Sequence, residues 1–488
     1  MKKIAIYLVG LLIMAGFSNC ESVLDEKVES EFSDNLLKTQ LGVQAVLANA
    51  YGELPTIRNI VKRSDMTSDI LWQSGGGEQG TATPLINFQW DSSNTLEAMD
   101  WGTFWNAIRD ANICLKFAPE ATGFASETTR KQFIAEARFV RLWAYYFLYD
   151  QYGPVPLRES MDTPMNQPRP SEEDFLKFMD QEFDAVMKDI YPIGEEPAYG
   201  RANLGGVQGL AVNWYLNRKE WQKVIEFTDA VMKSGKYQLF KDYNELFALE
   251  NEKNSEFMLV YGCLANVRAN DLLATCWPTD VKTVLDAYIP NTTNTQWDSY
   301  ASNYRIYNSF YNSFEQNDQR KGRILTKYIN KNGVNIDLLE DNAANSKGNT
   351  RGLKFPPDPM ATGNGCGNDF PVIRYAEILL SRAEALNELN GPNEVSISLI
   401  NQIRERAGLS DIRLADYSDK AKLREHILDE RKWEFWYEGK RRDDLIRTGQ
   451  YITKARERSV NAKDTHVRFP IPQSAIDSNP NLEQNPGY

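Results

Sequence analysis

Apolar periodicity between residues 370 and 449 constrains the fold of this chain more than any other feature of its sequence. From Tyr375 to Leu389 an apolar or alanine residue recurs every three or four positions, which predicts an amphipathic helix of about four turns. Gly391 and Pro392 end it, because glycine accepts a positive φ and proline continues a helix poorly. A second apolar face follows at residues 395–407, and helices joined by so short a connection pack antiparallel. The pattern predicts a helical hairpin of the tetratricopeptide type.

A third segment of the same stretch combines aromatic side chains with alternating charges. Its aromatic residues are Trp433, Phe435, Trp436 and Tyr437. The carboxylates at i, i+4 spacing, interspersed with lysines and arginines, are Glu430, Glu434 and Glu438. Carboxylates on one helix face suit acid–base chemistry, but opposite charges at this spacing are more typical of ion pairs that stabilise a helix. We therefore interpret them as an ion-pair lattice around an aromatic helix.

The same kind of spacing predicts helices along the rest of the chain. The predicted helices are 39–54, 101–119, 127–151, 171–190, 203–217 and 220–234. Residues 58–100 contain glycine clusters and a proline and are predicted to be irregular, and residues 256–262 read as a short strand. Periodicity then disappears, although the segment that follows is rich in aromatic residues, which argues against disorder. We expect a scaffold of helical hairpins carrying an irregular, loop-rich insert.

Several segments resemble the SusD/RagB family of nutrient-capturing surface lipoproteins of Bacteroidetes. They are RYAEILLSRAEALNELNG, the IRERAGL turn, ERKWEFWYEGKRRDDLIRTG, the closing RFPIPQSAIDSNPNLEQNPGY and, upstream, EARFVRLWAYYFLYDQYGPVPL. The resemblance covers most of the chain from Thr39 onward and is weakest between about Asn266 and Asp369. It implies a mostly α, SusD-like fold of tetratricopeptide-like helical hairpins with an irregular loop-rich insert. It also implies a non-enzymatic protein that binds an oligosaccharide and delivers it to a SusC-like TonB-dependent transporter.

The N-terminal residues differ from the rest of the chain. Lys2 and Lys3 precede an apolar run, residues 4–17, that is too short to span a bilayer as a mature helix, and Cys20 follows. This order predicts a bacterial lipoprotein signal with Cys20 lipidated; an ordinary cleaved signal or a buried cysteine is the alternative. For the family, such an anchor implies the outer membrane, facing the cell exterior. The predicted organisation is a signal peptide at 1–19, a tether at 20–38 and one SusD-like domain at 39–488, with its insert at about 266–369.

Charge and composition argue against several classes of function. The formal charge of −12 and the pI near 5.0 argue against a nucleic-acid surface. With only His426 and His466, the chain has almost no material for a histidine metal centre or triad, and it carries no phosphate loop, GxSxG, HExxH or dinucleotide motif. We expect no cofactor, no metal and no catalytic residue.

Two further features are undecided by the sequence. One is a disulfide between Cys263 and Cys276. The other is calcium binding by the oxygen-rich loop 358–369, which lacks EF-hand spacing.

Tryptophans in the predicted loops indicate a carbohydrate site. Sugars present flat C–H faces that dock on aromatic rings, while their hydroxyls bond to polar side chains. The loops at residues 277–304 supply both kinds of group, and two tryptophans of the early loop complete the platform. The alternative is that these rings are buried in the core. The predicted ligand-binding residues are Trp277, Trp297, Tyr300, Tyr304, Asp280, Trp72 and Trp90.

Two other functions stay open on the sequence alone. The same architecture with a different cargo would bind peptides, as some members of the resembled family do. An all-helical glycoside hydrolase is the other alternative, and it would need two carboxylates about 5 to 10 Å apart in one cleft. Acidic residues are plentiful in this chain, but the sequence singles out no pair of them.

Overall fold

Helices form the first half of the chain. The computed structural model describes residues 34–76, 79–93, 100–289, 303–340, 347–363 and 365–488. The helices before residue 235 are α1 (Asp34–Leu37), α2 (Gln40–Gly52), α3 (Ile57–Asp65), α4 (Gln79–Asn87), α5 (Trp101–Phe117), α6 (Glu127–Tyr152), α7 (Glu172–Asp189), α8 (Leu204–Asn217) and α9 (Trp221–Ser234). The predicted signal peptide, Cys20 and most of the tether lie outside the described residues.

Two short helices lie in the insert, and longer ones return after it. They are α10 (Leu272–Cys276), α11 (Asn308–Tyr311), α12 (Tyr375–Asn390), α13 (Glu394–Arg406), α14 (Lys420–Phe435), α15 (Arg441–Arg447), α16 (Tyr451–Glu457) and α17 (Gln473–Ser478). Side-chain oxygens cap the longer helices by accepting from a backbone N–H of the first turn, and the capping residues include Thr39, Ser126, Ser171, Asn203, Asn393 and Asp419. Within the described part of the chain, none of these helices has the length and apolar character needed to cross a membrane.

Residues 58–65, 71–73 and 79–87 form regular elements, so the prediction of an irregular stretch was wrong for them. Helices α3 and α4 and the strand β1 (Leu71–Gln73) lie in this stretch. Ile57 and Ile60 bury one face of α3, and the Thr56 side chain caps it. Glycines and a proline disfavour helices locally, which is why the sequence predicted an irregular stretch. Burial of an apolar face against the rest of the fold is nevertheless enough to stabilise a short helix.

Consecutive helices pack against each other along the scaffold. Helix α5 contacts both α2 and α6, α6 contacts α7, and α8 contacts α9. Beyond the insert, α12 contacts α13 and also α9, which joins the C-terminal hairpin to the earlier ones. The mostly α fold of tetratricopeptide-like hairpins is therefore confirmed.

The insert and its flanks contain short antiparallel strands. Those after β1 are β2 (Phe257–Tyr261), β3 (Val281–Val284), β4 (Tyr304–Ile306), β5 (Ile324–Leu325), β6 (Lys327–Asn330), β7 (Asn335–Asp337), β8 (Arg351–Gly352) and β9 (Phe370–Arg374). Among the described residues, β1 pairs with β4, β2 with β9 and β5 with β8, and β6 lies between β3 and β7. Because β2 precedes the insert and β9 follows it, their pairing brings the two ends of the insert side by side.

A buried ionic network lies where β9 meets the helices. The Arg374 side chain is 1% exposed, and its guanidinium contacts Glu256 at 2.7 Å, Glu434 at 2.5 Å and Glu438 at 2.7 Å. The Lys354 ammonium also contacts Glu438 at 2.5 Å. Glu430, Glu434 and Glu438 are thus ion-paired as predicted, but their partners include Arg320, Lys354 and Arg374 from other segments instead of the lysines and arginines next to them in the sequence.

The Glu434 carboxyl is ionised in spite of its burial. Burial alone raises its pKa, but the Arg406 and Arg374 guanidiniums lower it more strongly, and the pKa lies well below its ordinary value. A carboxyl held in this state is unsuited to donating a proton in catalysis. Because buried charges depend on their partners, removing one member of the network is expected to be strongly destabilising.

Candidate ligand-binding site

Backbone hydrogen bonds bring three of the predicted loop segments together. The Ser74 N–H donates to the Asn303 carbonyl at 3.0 Å, and the Asn303 N–H donates to the Thr275 carbonyl at 2.7 Å. In the β1–β4 ladder, Trp72 lies opposite Arg305. Residues 72–76, 275–280 and 303–305, which we call the loop site, therefore form one region of the surface.

A glycine sets the close approach within the loop site. Gly76 has a φ of 89°, and a Cβ at this position would lie 2.2 Å from the Asn303 side-chain nitrogen. The backbone conformation therefore favours glycine, and a side chain at this position would also displace the Asn303 side chain. Ser74 is exposed beside it and Asn303 is half-buried, so hydrogen-bonding side chains are present at the surface of this region.

The three predicted aromatic residues of the loop site that the structure describes are buried. Trp277 is 1% exposed, and its Nε1 has no hydrogen-bond partner among the described residues. Trp72 is 5% exposed, its Nε1 donates to the Gly348 carbonyl at 3.1 Å, and Tyr304 is fully buried. In this conformation none of these rings offers a face on which a sugar could stack. Burial favours the alternative reading, in which they are core residues, and their contact with a ligand stays a prediction.

Asp280 lies at the edge of the same region. Its carboxylate accepts a hydrogen bond of 2.9 Å from the Tyr328 hydroxyl, and the Lys331 N–H donates to its carbonyl at 2.7 Å. Burial, followed by this hydrogen bond, raises the pKa of Tyr328 above its ordinary value. Asp280 is half-buried, so its carboxylate is partly available to a hydroxyl donor.

Trp90 belongs to a different region of the protein. Its ring centroid lies 4.8 Å from that of Phe88 and 5.0 Å from those of His466 and Phe469. Its Nε1 donates to the Tyr488 hydroxyl at 2.8 Å. These contacts bury Trp90 against the C-terminal segment. The structure therefore does not bring Trp90 together with the other predicted residues.

Trp297 and Tyr300 lie outside the described residues. They belong to residues 290–302, which lead into Asn303 of the loop site. With Trp72, Trp277 and Tyr304 buried, these two remain the predicted aromatic residues for a stacking platform at the loop site.

The structure contains a cavity that the sequence analysis missed. It has a volume of about 480 Å³ and lies between α6, α7, α8, α15 and the segment near Arg468, and we call it the scaffold cavity. Its wall includes Tyr146, Tyr149, Asp150, Trp214, Arg218 and Asp443. The signal in the sequence was Asp150, a carboxylate that follows the apolar and aromatic run of residues 142–149 near the end of a long helix.

The loop 358–369 uses its oxygens within the fold. The two Asp358 carboxylate oxygens accept from the Met360 N–H at 2.8 Å and the Gly367 N–H at 2.7 Å. Within the described residues, no group of three or more His, Cys, Asp or Glu side chains is placed to hold a metal ion. The described cysteines Cys263 and Cys276 both carry free thiols, so the disulfide left open by the sequence is not formed in this structure.

Comparison with known proteins identifies the family. The SusD family model matches residues 217–488, more than half of the chain, and a second model described as "Starch-binding associating with outer membrane" matches residues 23–178. The SusD-like protein P38 of Formosa agariphila is 25% identical over 527 aligned residues that cover 100% of this chain and 99% of that protein. The starch-binding protein SusD of Bacteroides thetaiotaomicron is 22% identical over 86% of this chain and 84% of its own length.

Solved structures show the same fold. A laminarin-binding SusD-like protein superposes with a TM-score of 0.77 at 21% identity, covering 92% of this chain and 100% of the other. The two family models together span both the scaffold and the C-terminal hairpin, and the structural match extends over nearly the whole chain. The chain belongs to the SusD family.

Proposed function

We propose that this protein captures an oligosaccharide at the outer membrane and delivers it to a SusC-like TonB-dependent transporter. Membership of the SusD family is the observation that carries the proposal. Relatives spanning most of the chain are described as binding starch or laminarin, and the proposal extends glycan binding to this protein. In this proposal it acts as a binding protein and not as an enzyme, because these relatives are described as binding proteins. Glu430, Glu434 and Glu438, at i, i+4 spacing, are buried in ion pairs, which does not suit them to acid–base catalysis.

The loop site is the proposed place of glycan binding. It joins segments of the early loop and the insert, and it presents Ser74, Asn303 and Asp280 as hydrogen-bonding groups. Trp297 and Tyr300 are proposed to supply the stacking surface. Stacking combined with hydrogen bonding is the general chemistry of polar ligand sites with an apolar wall.

Anchoring and partnership complete the proposal. Lipidation of Cys20 would hold the folded domain at the membrane, because each buried methylene of an acyl chain contributes about 0.8 kcal/mol and multiple chains anchor stably. The broad surface of the helical scaffold would contact the transporter, with an interface of over ~2,000 Å² as lasting complexes have. The loop site would then remain available to the cargo.

A glycan array with the full-length protein tests the cargo. Binding to oligosaccharides but not to a matched peptide array supports the proposal, and binding to peptides alone would establish the alternative cargo. Release of shortened oligosaccharides during incubation would instead indicate the glycoside hydrolase. A tagged protein purified from detergent-solubilised outer membranes tests the partner. Recovery of a SusC-like β-barrel is expected, and a lone monomer in mild detergent would contradict delivery to a transporter.

A further inference from the structure

Two arginines lie next to each other at the edge of the loop site. Arg305 of β4 belongs to the loop site and is half-buried. The residue after it, Ile306, pairs with Thr350 in an antiparallel bridge, and the Ile306 N–H donates to the Thr350 carbonyl at 3.1 Å. The next position along these two segments places Arg305 beside Arg351 of β8, and the strands β4 and β8 are in contact. Neighbouring strands therefore carry like charges side by side.

Arg351 is a buried cation whose main electrostatic neighbours include no carboxylate. It is 5% exposed, its Nη1 donates to the Asn349 side-chain oxygen at 2.9 Å, and its Nε has no hydrogen-bond partner in the described part of the chain. Burial, followed by the Arg305 charge, lowers the pKa of Arg351 to about 9. Like charges on neighbouring strands are unfavourable, and an anion lying against them relieves the repulsion.

Lys347 adds a third positive charge to this region. Its side chain is exposed, and its ammonium lies 5.7 Å from the centroid of the Trp72 ring. Trp72 in turn lies opposite Arg305 in the β1–β4 ladder. We call Arg305, Lys347 and Arg351 the basic cluster. The chain as a whole is acidic, with a formal charge of −12, so the cluster is a local concentration of the opposite sign.

One carboxylate of the loop site lies near the basic cluster. The Asp280 carboxylate accepts a hydrogen bond of 2.9 Å from the Tyr328 hydroxyl. Burial and Asp280 raise the pKa of Tyr328, and the Arg351 and Arg305 charges oppose them. The Tyr328 hydroxyl is therefore influenced by one anion and two cations. A single carboxylate that is already hydrogen-bonded to tyrosine leaves an excess of positive charge in this region.

We propose that the loop site takes an anionic oligosaccharide, one that carries carboxylate or sulfate groups. The inference rests on the proposed function, because it names the class of glycan bound at that same site. The anionic group of the sugar lies against Arg305 and Lys347, and the sugar hydroxyls bind the polar groups of the loop site. Arg351 is too deeply buried to be the main contact, so it acts through its charge, which salt screens less than a surface charge.

A glycan array probed with the full-length protein, followed by titration of the glycans that bind, tests the class of cargo. The probes include oligogalacturonates with their methyl esters, and carrageenan oligosaccharides with their desulfated forms. Each pair differs in charge on a common backbone. We expect the charged member to bind at least about tenfold more tightly, as a charge-assisted hydrogen bond requires. Preference within the first pair identifies a carboxylate, and preference within the second identifies a sulfate.

Variants test whether the basic cluster causes the preference. Arg305→Gln and Lys347→Gln should each lower affinity for the charged glycan about tenfold, whereas Arg305→Lys retains the charge and should retain most of the preference. Lys236→Gln, at an exposed lysine outside the cluster, is the matched control and should leave the affinity unchanged. Added salt should weaken binding of the charged glycan because it screens exposed charges. Thermal melting of each variant establishes that it is folded.

The outcomes separate this inference from the proposed function. Binding of neutral members as tight as that of their charged counterparts would overturn the anionic class and leave glycan capture standing. Unchanged affinity for the charged glycan in a folded double variant, Arg305→Gln with Lys347→Gln, would also overturn it. Absence of binding to every oligosaccharide on the array would overturn the proposed function and this inference together.

Discussion

The backbone N–H of Tyr437 donates a hydrogen bond of 2.7 Å to the carboxylate of Asp65. Tyr437 follows α14 and has a φ of 62°, a left-handed conformation that is uncommon for a residue with a side chain. Asp65 ends α3 and is fully buried. Burial raises the pKa of Asp65 to about 7, although the Tyr437 N–H lowers it. The contact that joins these two helices therefore depends on a carboxyl whose charge changes near neutral pH.

Asp65→Asn should flatten the dependence of stability on pH. Between about pH 4 and about pH 7 the folded chain retains a proton on Asp65 that the unfolded chain releases, so the free energy of unfolding falls as the pH rises. The fall is roughly 1.4 kcal/mol for each unit of pKa difference. Asparagine does not titrate, yet its Oδ1 still accepts from Tyr437. Denaturant unfolding across this range measures the slope, and Asp411→Asn is the exposed control. An unchanged slope in Asp65→Asn would count against this assignment.

Arg374→Met should destabilise the protein strongly. The change removes the guanidinium shared by Glu256, Glu434 and Glu438 and leaves buried carboxylates without it. We expect a loss of roughly 3 to 5 kcal/mol in the free energy of unfolding, measured in urea. Arg413→Met is the matched control, because Arg413 and its partner Asp416 are both exposed, and it should leave stability nearly unchanged. Similar losses in both variants would mean that the buried network has no special role.

Trp277→Ala should lower stability more than ligand affinity. A buried tryptophan replaced by alanine costs roughly 3 to 5 kcal/mol of stability. Leu285→Ala, at a side chain that is 50% exposed, should stay within about 0.5 kcal/mol of the parent. Melting and oligosaccharide affinity are measured on the same samples, below the melting temperature. Normal melting with weakened binding would instead make Trp277 a stacking residue of the loop site.

Cys20→Ala should release the protein from the membrane fraction. The substitution removes the thiol that the sequence predicts to carry the lipid, while the folded domain is left intact. Fractionation followed by labelling with a lipid precursor measures both consequences. Cys263→Ala, at a half-buried free cysteine, should remain in the membrane fraction and retain the label. Membrane retention of Cys20→Ala together with normal lipid labelling would make the lipoprotein prediction wrong.

The sequence predicted the helices better than the site. Periodic apolar faces and capping residues such as Ser126 and Ser171 specify where long helices begin, because both signals are local. Helix α3 was not predicted, because its stability depends on the packing of Ile57 and Ile60 against the rest of the fold. The family resemblance predicted the fold from segments that include Arg374 and Tyr437. In the structure Arg374 belongs to the buried ionic network, and Tyr437 binds Asp65 next to it.

The sequence did not specify which of the predicted aromatic side chains are exposed to solvent. Trp277 and Trp72 lie outside long helices, and from spacing alone a tryptophan in such a segment is as compatible with a core as with a ligand platform. Trp72 lies in β1, which pairs with β4 although the two strands are far apart in the chain. Trp277 follows α10, which contacts β4 and β8 of the insert. The scaffold cavity was missed for the same reason, since Asp150 and Asp443 meet only once α6 and α15 have packed.

The contact between Trp90 and Tyr488 bears on when the protein finishes folding. Asp65 and Tyr437, and Asp69 and Arg441, join early and late segments in the same way. A chain emerging from the ribosome makes Asp65, Asp69 and Trp90 long before their partners exist, so these closing contacts cannot form while it is still growing. The early helices therefore lack their final packing until nearly the whole chain has been made.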